Sequence, residues 1–524
     1  MVAAAAVVLA LAGCKRGEQV APLNTIYATV ASHNGVNPSG GKSHIDGNSV
    51  CWSKNDTIAL ITTGDEKIAG EKIAYTLSGD GGTTTGTFTG VEPQTKTGPY
   101  CVVYPYSSVT SSSFSNGVFT VEYSLPRVQS YSKNSFGEGA NLSIGYSNDY
   151  NFKFLNMLGV LKVTIKNKAS CLVKKVELVS RNTSDVLWGD GTVTINGSTA
   201  DDLSFGTQLT GGNHILTLGN YMKWDAGDVS LYFVVPAGTL QDGFEIKIYE
   251  EGYVNPITDA NDEAIEFTNP TGLNVIQRNM VSELDFGDGR VIQTTGYVDL
   301  GIAGRWAPCN WGADKPYEPG WYCQFGGKVD VKGKDRRQLR EECPYFYVGG
   351  RWMDNPPKYW AKFKKYTSKK DNYSETGVAD GLSELTKEDR RLDSDWRIPS
   401  KDEVVDTLYN RCDCSWLPEK NDEYGKAGCK LTAPNGNYIF LPACGYWGHI
   451  VENYNNTTPS LLEDACVFVG SGTITYIAYS FRAMRVRLVN GNLEMDIDDE
   501  DDPSTSTKYW RYFGVPFRPI YDGK

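Results

Sequence analysis

The sequence predicts a mainly β protein of roughly three domains: two β-sandwiches in tandem, then a third unit of different make. Three observations predict it. The 524 residues are rich in Gly (55) and Tyr (31), with many Ser and Thr, and this composition favours strands and turns over helices. From about residue 24 to 290, short alternating runs are separated by Gly, Asn and Asp, and no segment keeps a 3.6-residue period over ten residues. Tryptophan and cysteine then crowd the back: nine of 12 Trp and eight of 12 Cys lie beyond residue 300.

Taken in chain order, the first element is an export signal. The apolar residues 2–10 run into Leu11-Ala12-Gly13-Cys14, an h-region closed by small residues and too short to span a bilayer as a helix. A cysteine directly after small residues resembles the bacterial lipobox, which implies that residues 1–14 are a lipoprotein signal peptide ending at an acylated Cys14. Acyl chains on Cys14 would hold the protein on a membrane, and the location implied is the outer membrane, lipid-anchored, at the cell surface. Lys15-Arg16 follows where surface-exported relatives carry an acidic pair, which leaves the periplasmic face open. No Lys or Arg precedes the apolar run, so the true start codon is expected upstream.

The front half supplies the strands. Residues 161–166 alternate cleanly, with Leu161, Val163 and Ile165 on one face and Lys162, Thr164 and Lys166 on the other. Residues 118–123 and 244–249 alternate as well, and residues 231–235 form a continuous apolar run stopped by Pro236, as in a buried strand. Gly79-Asp80-Gly81-Gly82 reads as a turn. About 265 residues suit two sandwiches, 24–147 and 148–290.

Leu125-Pro126-Arg127-Val128-Gln129-Ser130-Tyr131, then Asn151-Phe152-Lys153-Phe154-Leu155-Asn156, then Val235-Pro236-Ala237-Gly238 and Ile276-Gln277-Arg278-Asn279-Met280 resemble the fimbrillin-like family. These are lipoprotein pilins and pilus-associated proteins of the type V pilus, from Gram-negative gut and oral bacteria. The resemblance covers roughly residues 24–287 and implies two transthyretin-like sandwiches. It also implies assembly by strand exchange with other pilus subunits, an incoming strand satisfying an open sheet edge. A two-sandwich protein of the same fold that never polymerises fits the same residues. Proteolytic opening would need a basic residue in an exposed loop. Between Arg16 and Arg127 there is no arginine, and Lys42, within Gly40-Gly41-Lys42-Ser43, is the candidate processing position.

Beyond residue 294 the character changes. Arg305-Trp306-Ala307-Pro308-Cys309-Asn310-Trp311-Gly312-Ala313, Trp396-Arg397-Ile398-Pro399-Ser400, residues 434–446 and Pro516-Phe517-Arg518-Pro519-Ile520 resemble the Fibrobacter succinogenes major paralogous domain. That resemblance implies an α+β, C-type-lectin-like domain over 294–524. Residues 328–370 depart from it as an insert rich in Lys and Arg, read as a solvated loop or a ligand patch. Ser400-Lys401-Asp402-Glu403 reads as a capping box opening a short helix through Val404, Val405, Leu408 and Tyr409. Asn435-Gly436 between two apolar runs predicts a type I′ hairpin.

The chemistry is that of a binding or structural protein, not an enzyme. A formal charge of −12 gives no reason to expect nucleic acid. Four scattered His, no G-x-S-x-G and no phosphate-cradling loop leave no catalytic residue, metal site or cofactor to nominate. Cys412-x-Cys414 with Cys429 and Cys444 lacks the two-residue spacer of structural zinc sites, so disulfides are expected for most of the back-half eight, with pairing open. Trp306, Trp311 and Trp396 are expected in the core. Trp321, Tyr446 and Trp447 are the candidate rim of a ligand site for a glycan or a host or bacterial surface protein. Residues 496–502 are acidic, either a solvated loop or a calcium site. The function expected is an adhesive or pilus-accessory surface protein, with a structural pilus tip or cap as the alternative.

Overall fold

The structure, a computed structural model, describes residues 25–30, 44–46, 49–64, 70–206, 209–259, 261, 263–268, 276–285, 291–302, 304–323, 330, 345–348, 351–354, 391–399, 403–445, 465–469, 480–481, 483–489, 492–497, 509–510 and 516–523. Among them the protein is mainly β.

The first unit is built on a closed sheet. Thr25–Val30, Asn151–Asn156, Ser143–Ser147, Tyr100–Tyr104, Thr57–Thr62, Lys72–Leu77 and Thr85–Gly90 follow one another round a barrel. Alternation dictates the inside: Ile26, Ala28 and Val30 are buried while Tyr27 and Thr29 face out. Trp52 fills the interior, with Phe88, Phe154 and Tyr104 presenting ring edges at 4.9, 5.1 and 5.5 Å. A second sheet, ordered Leu203–Phe205, Gly189–Ile195, Val118–Leu125 and Val109–Ser115, sends Phe119, Val121, Val193 and Ile195 into the same core.

Strand pairing crosses the expected division at 147/148. Asn151–Asn156 lies in the barrel, and Gly189–Ile195 pairs with Val118–Leu125. In the other direction, Val128–Ser132 runs parallel to Ile215–Trp224 in the second unit. Alternation specifies which face of a strand is buried and leaves its partner open, so a boundary drawn by length cannot see the exchange.

The second unit faces a six-stranded sheet (Ser135–Phe136, Val128–Ser132, Ile215–Trp224, Cys171–Ser180, Gly243–Glu250, Ile265–Thr268) against Gly227–Val235, Gly159–Asn167 and Val281–Asp285. Leu161, Val163 and Ile165 enter its core as predicted, and Val160 enters the first core, so Gly159–Asn167 serves both. Gln129 is buried between the sheets. Its amide donates to the Val234 carbonyl at 2.7 Å and accepts from the Val234 N–H at 3.0 Å, so neither polar group is stranded.

The third unit is assembled from small sheets. Val298–Asp299, Arg305–Trp306, Ile520–Tyr521 and Trp396–Arg397 form one, and Asp413–Leu417, Gly428–Thr432 and Tyr438–Pro442 another. Trp306, Val298, Leu408, Leu431 and Ile520 meet in its core. The predicted helix is a single wide segment, Glu403–Tyr409, with Val404 and Leu408 buried. Ser400–Asp402, half of the predicted capping box, lies outside the described residues, and Glu403 receives the Arg397 guanidinium on both oxygens.

Several expectations change. The hairpin at 433–436 is not type I′. Pro434 fixes a negative φ at the first central position, only Gly436 is left-handed (φ 86°), and the turn closes from the Gly436 N–H to the Ala433 carbonyl at 2.9 Å. Among the described residues one disulfide, Cys414–Cys429, staples adjacent strands across a Cα–Cα distance of 6.4 Å, whereas Cys309, Cys412 and Cys444 are buried thiols. These three are held by packing, which the secretory default for cysteines does not weigh. The insert contains a hairpin, Tyr345–Val348 with Arg351–Asp354, where a solvated loop was expected. Of the acidic run, Asp496 and Ile497 end the strand Asn492–Ile497, and the remainder lies outside the described residues.

Candidate functional site

The strand Thr25–Val30 closes the barrel. It pairs parallel with Asn151–Asn156 on one side and antiparallel with Thr85–Gly90 on the other. Its outer side is half open. Tyr27 is 44% exposed, and a cavity of about 630 Å³ runs beside it, lined by Tyr27, Thr29, Leu77, Thr85, Thr87 and Phe152. Taking the strand away would leave two unpaired backbone edges over the barrel's apolar core, the arrangement that strand addition requires. Lys42 lies outside the described residues, as does Cys14. The strand Ile520–Tyr521 is paired on both sides, by Arg305–Trp306 and Trp396–Arg397.

A second feature, which sequence reading did not find, is the seam between the second and third units. Tyr438 donates its N–H to the Gly252 carbonyl at 2.8 Å. Gly252 has φ +88°, and a Cβ there would meet Val298 at 2.3 Å, so only glycine permits this approach. Tyr221 stacks on Tyr424, which stacks on Phe440 with centroids 3.9 Å apart. Lys174 bonds Glu423 at 2.6 Å and the Tyr438 hydroxyl at 2.8 Å, and Lys430 reaches Glu423 at 3.0 Å.

Carboxylates of one strand end face this seam. Glu250 accepts the Gly296 N–H at 2.7 Å and the Thr295 N–H at 3.2 Å, tying down the connection to the third unit. Glu251 accepts the Tyr424 hydroxyl at 2.9 Å. Burial pushes both carboxyls up to about 7, against the pull of the Thr295 and Gly296 donors on Glu250 and of Lys174 on Glu251. Burial also acts on Glu423, yet its lysine partners hold it below the usual carboxylate range. Arg518 is wholly buried and donates to the Asn310 side chain and the Ala307 carbonyl, each at 3.1 Å, and to the carbonyls of Pro308 and Phe440. A two-residue run of glutamate and a lone Arg between prolines carry no periodicity, which is why the sequence did not reveal them.

The predicted rim is not brought together among the described residues. Trp321 is at the surface, 39% exposed, with its N–H on the Trp311 carbonyl at 2.7 Å and its ring edge-on to Trp311 at 6.0 Å. Tyr446 and Trp447 lie outside the described residues. Trp306 is core as expected. Trp396 is not: it sits half-buried on the outer face of its sheet, because Arg397 and Ile398 take the inward places. Among the described residues no group of three His, Cys, Asp or Glu is placed to hold a metal ion.

No family profile matches the chain, and no curated protein matches it. Among solved structures, a fimbrial protein from Bacteroides ovatus aligns over 95% of this chain and 99% of its own, at 10% identity and a TM-score of 0.26. A proposed cell adhesion protein, also from Bacteroides ovatus, aligns over 52% of this chain and 94% of its own at 14% identity and a TM-score of 0.27. The tip fimbrial protein Mfa3 from Porphyromonas gingivalis, truncated at its C-terminus, aligns over 51% and 98% at 11% identity and 0.20. At such identities and TM-scores these likenesses carry no argument about this chain, and its reading rests on its own residues.

Proposed function

We propose that the chain is a lipid-anchored surface protein of the fimbrillin kind, adhesive or pilus-accessory, whose third unit recognises a glycan or a surface protein. The observation that carries the reading is the strand Thr25–Val30: a strand near the N-terminus that closes a barrel over its apolar core, at the place where a strand-exchanging subunit would open. The fimbrillin-like motifs, the lipobox-like Leu11-Ala12-Gly13-Cys14 and the all-β build support it from the sequence side. The proposed state is one that keeps this strand. Lys42 is the only basic residue between the strand and Lys54, and Ile520–Tyr521 could be donated to a neighbour only by breaking a ladder on each side.

Two experiments on cells test it. Replacing Cys14 with Ser should move the protein from the membrane fraction to the soluble fraction, and retention of that variant would remove the anchor. N-terminal sequencing of the mature protein should keep residues 25–30. A terminus at Ser43 would instead favour the second reading, a structural tip or cap subunit. The third unit, hydrogen-bonded to the second through Tyr438 and Tyr424, suits that role.

A further inference from the structure

The four-stranded sheet of the third unit has two faces of opposite character. Pairing aligns Val298, Trp306, Ile520 and Arg397 in one row, and all four are buried. The adjacent row, on the other face, aligns Asp299 with Arg305, Arg305 with Tyr521, and Tyr521 with Trp396. Tyr297, two residues before Asp299, shares that face. Asp299 and Arg305 are exposed, and the three rings are partly so.

The rings are held by one another. Tyr297 stacks on Tyr521 with centroids 4.9 Å apart, Trp396 meets Tyr521 edge-on at 5.4 Å, and the Arg305 guanidinium lies over Tyr297 at 4.9 Å. With strands about 4.8 Å apart, the row of four side chains is about 14 Å long.

We propose that this outer face is the ligand platform of the third unit and that its ligand is a glycan. The inference rests on the adhesive reading above and deepens it by moving the site from Trp321 to Trp396, Tyr521 and Arg305. The chemistry selects the occupant. Sugar rings offer an apolar C–H face, which buries well on a fixed aromatic surface, and a hydroxyl fringe, which needs charged donors and acceptors beside that surface. Here the row carries an indole and a phenol, with the Tyr297 phenol stacked beside them, and a guanidinium and a carboxylate at its other end that can give and take those hydrogen bonds. Because the rings already brace one another, binding fixes few side-chain rotors, so little entropy is lost. A protein partner would use the same aromatic and arginine side chains, and the deglycosylated-mucin arm of the test separates it from a glycan.

The test uses the full chain on an array of mucin O-glycans, plant polysaccharides and bacterial capsular polysaccharides, beside enzymatically deglycosylated mucin. Wild type is expected to bind at least one glycan saturably and to lose deglycosylated mucin. Arg305→Gln and Trp396→Ala should each weaken that glycan at least tenfold, Trp396→Phe should recover part of it, and Trp321→Ala should leave it unchanged. Arg305 is exposed, so Arg305→Gln keeps its fold and guards against misfolding of Trp396→Ala. Full-strength binding by both Arg305→Gln and Trp396→Ala would overturn the platform while leaving the adhesive reading intact. Equal binding to deglycosylated mucin would overturn the glycan in favour of a protein. Silence of wild type across the array would also overturn the platform, and adhesion of expressing cells to protein-coated surfaces would then show whether the adhesive reading survives alone.

Discussion

Glu250 and Glu251 are the residues whose setting departs furthest from their type. A carboxyl raised from its usual value to about 7 binds its proton more tightly in the folded chain, so folding gains from low pH and loses that gain as pH rises toward 7. Glu423 has the opposite sign, since its depressed value supports the fold above the ordinary carboxylate range and fails only in acid. Between these limits the seam should tighten on mild acidification. Thermal unfolding of wild type should therefore shift upward from pH 8 to pH 5.5, and Glu251→Gln should remove roughly half of that slope, Glu250 carrying the rest; an unchanged slope would show that Glu251 ionises freely. Arg518 gives a second prediction. Arg518→Met removes the donor from four acceptors, and the unsatisfied carbonyls should cost about 3 kcal/mol or more, read in urea as a loss of stability of the joint transition of the second and third units.

Among elements, Thr25–Val30 tests whether the barrel depends on its closing strand. Ile26 is fully buried, and Ile26→Asp places an unpaired carboxylate among Phe88, Trp52 and Phe154, a change expected to cost more than about 4 kcal/mol. Calorimetry should show the first unit's transition lost and the second unit's moved to lower temperature with it, because Gly159–Asn167 serves both cores. The sequence made such elements legible where one face is polar. Residues 118–123, 161–166, 231–235 and 244–249 all fall within observed strands, because alternation and apolar runs are local signals. It misled where the outcome depends on distant partners. Trp396 reads as core until the strand beside Ile520–Tyr521 is known to turn Arg397 inward. Asn435-Gly436 reads as a primed turn until Pro434 is counted as its first central residue. The seam was invisible for the same reason, since Tyr221, Tyr424 and Phe440 each look like ordinary buried aromatics alone.

On the scale of the whole molecule, the second and third units share buried residues (Leu172, Tyr221, Tyr424, Tyr438 and Phe440 form one cluster) and should unfold together. Tyr221→Ala, at about 3 kcal/mol for a lost buried aromatic, should split that joint calorimetric transition in two, whereas independent units would show two transitions already in wild type. The crossing of strands between the first two units reaches further, into the order in which the molecule can be made. Tyr27 is paired with Asn151, 124 residues later, and the first core also takes in Val193, Ile195, Tyr232 and Val234. A chain emerging from its N-terminus therefore cannot complete the first unit when its first 147 residues are out. The strand Thr25–Val30 can pair with Thr85–Gly90 early, but its other edge must wait for Asn151–Asn156 and the core beneath it for Tyr232 and Val234, when nearly half the polypeptide is out, and such long-separated contacts fold slowly. A holdase would have its longest task on the first residues to emerge.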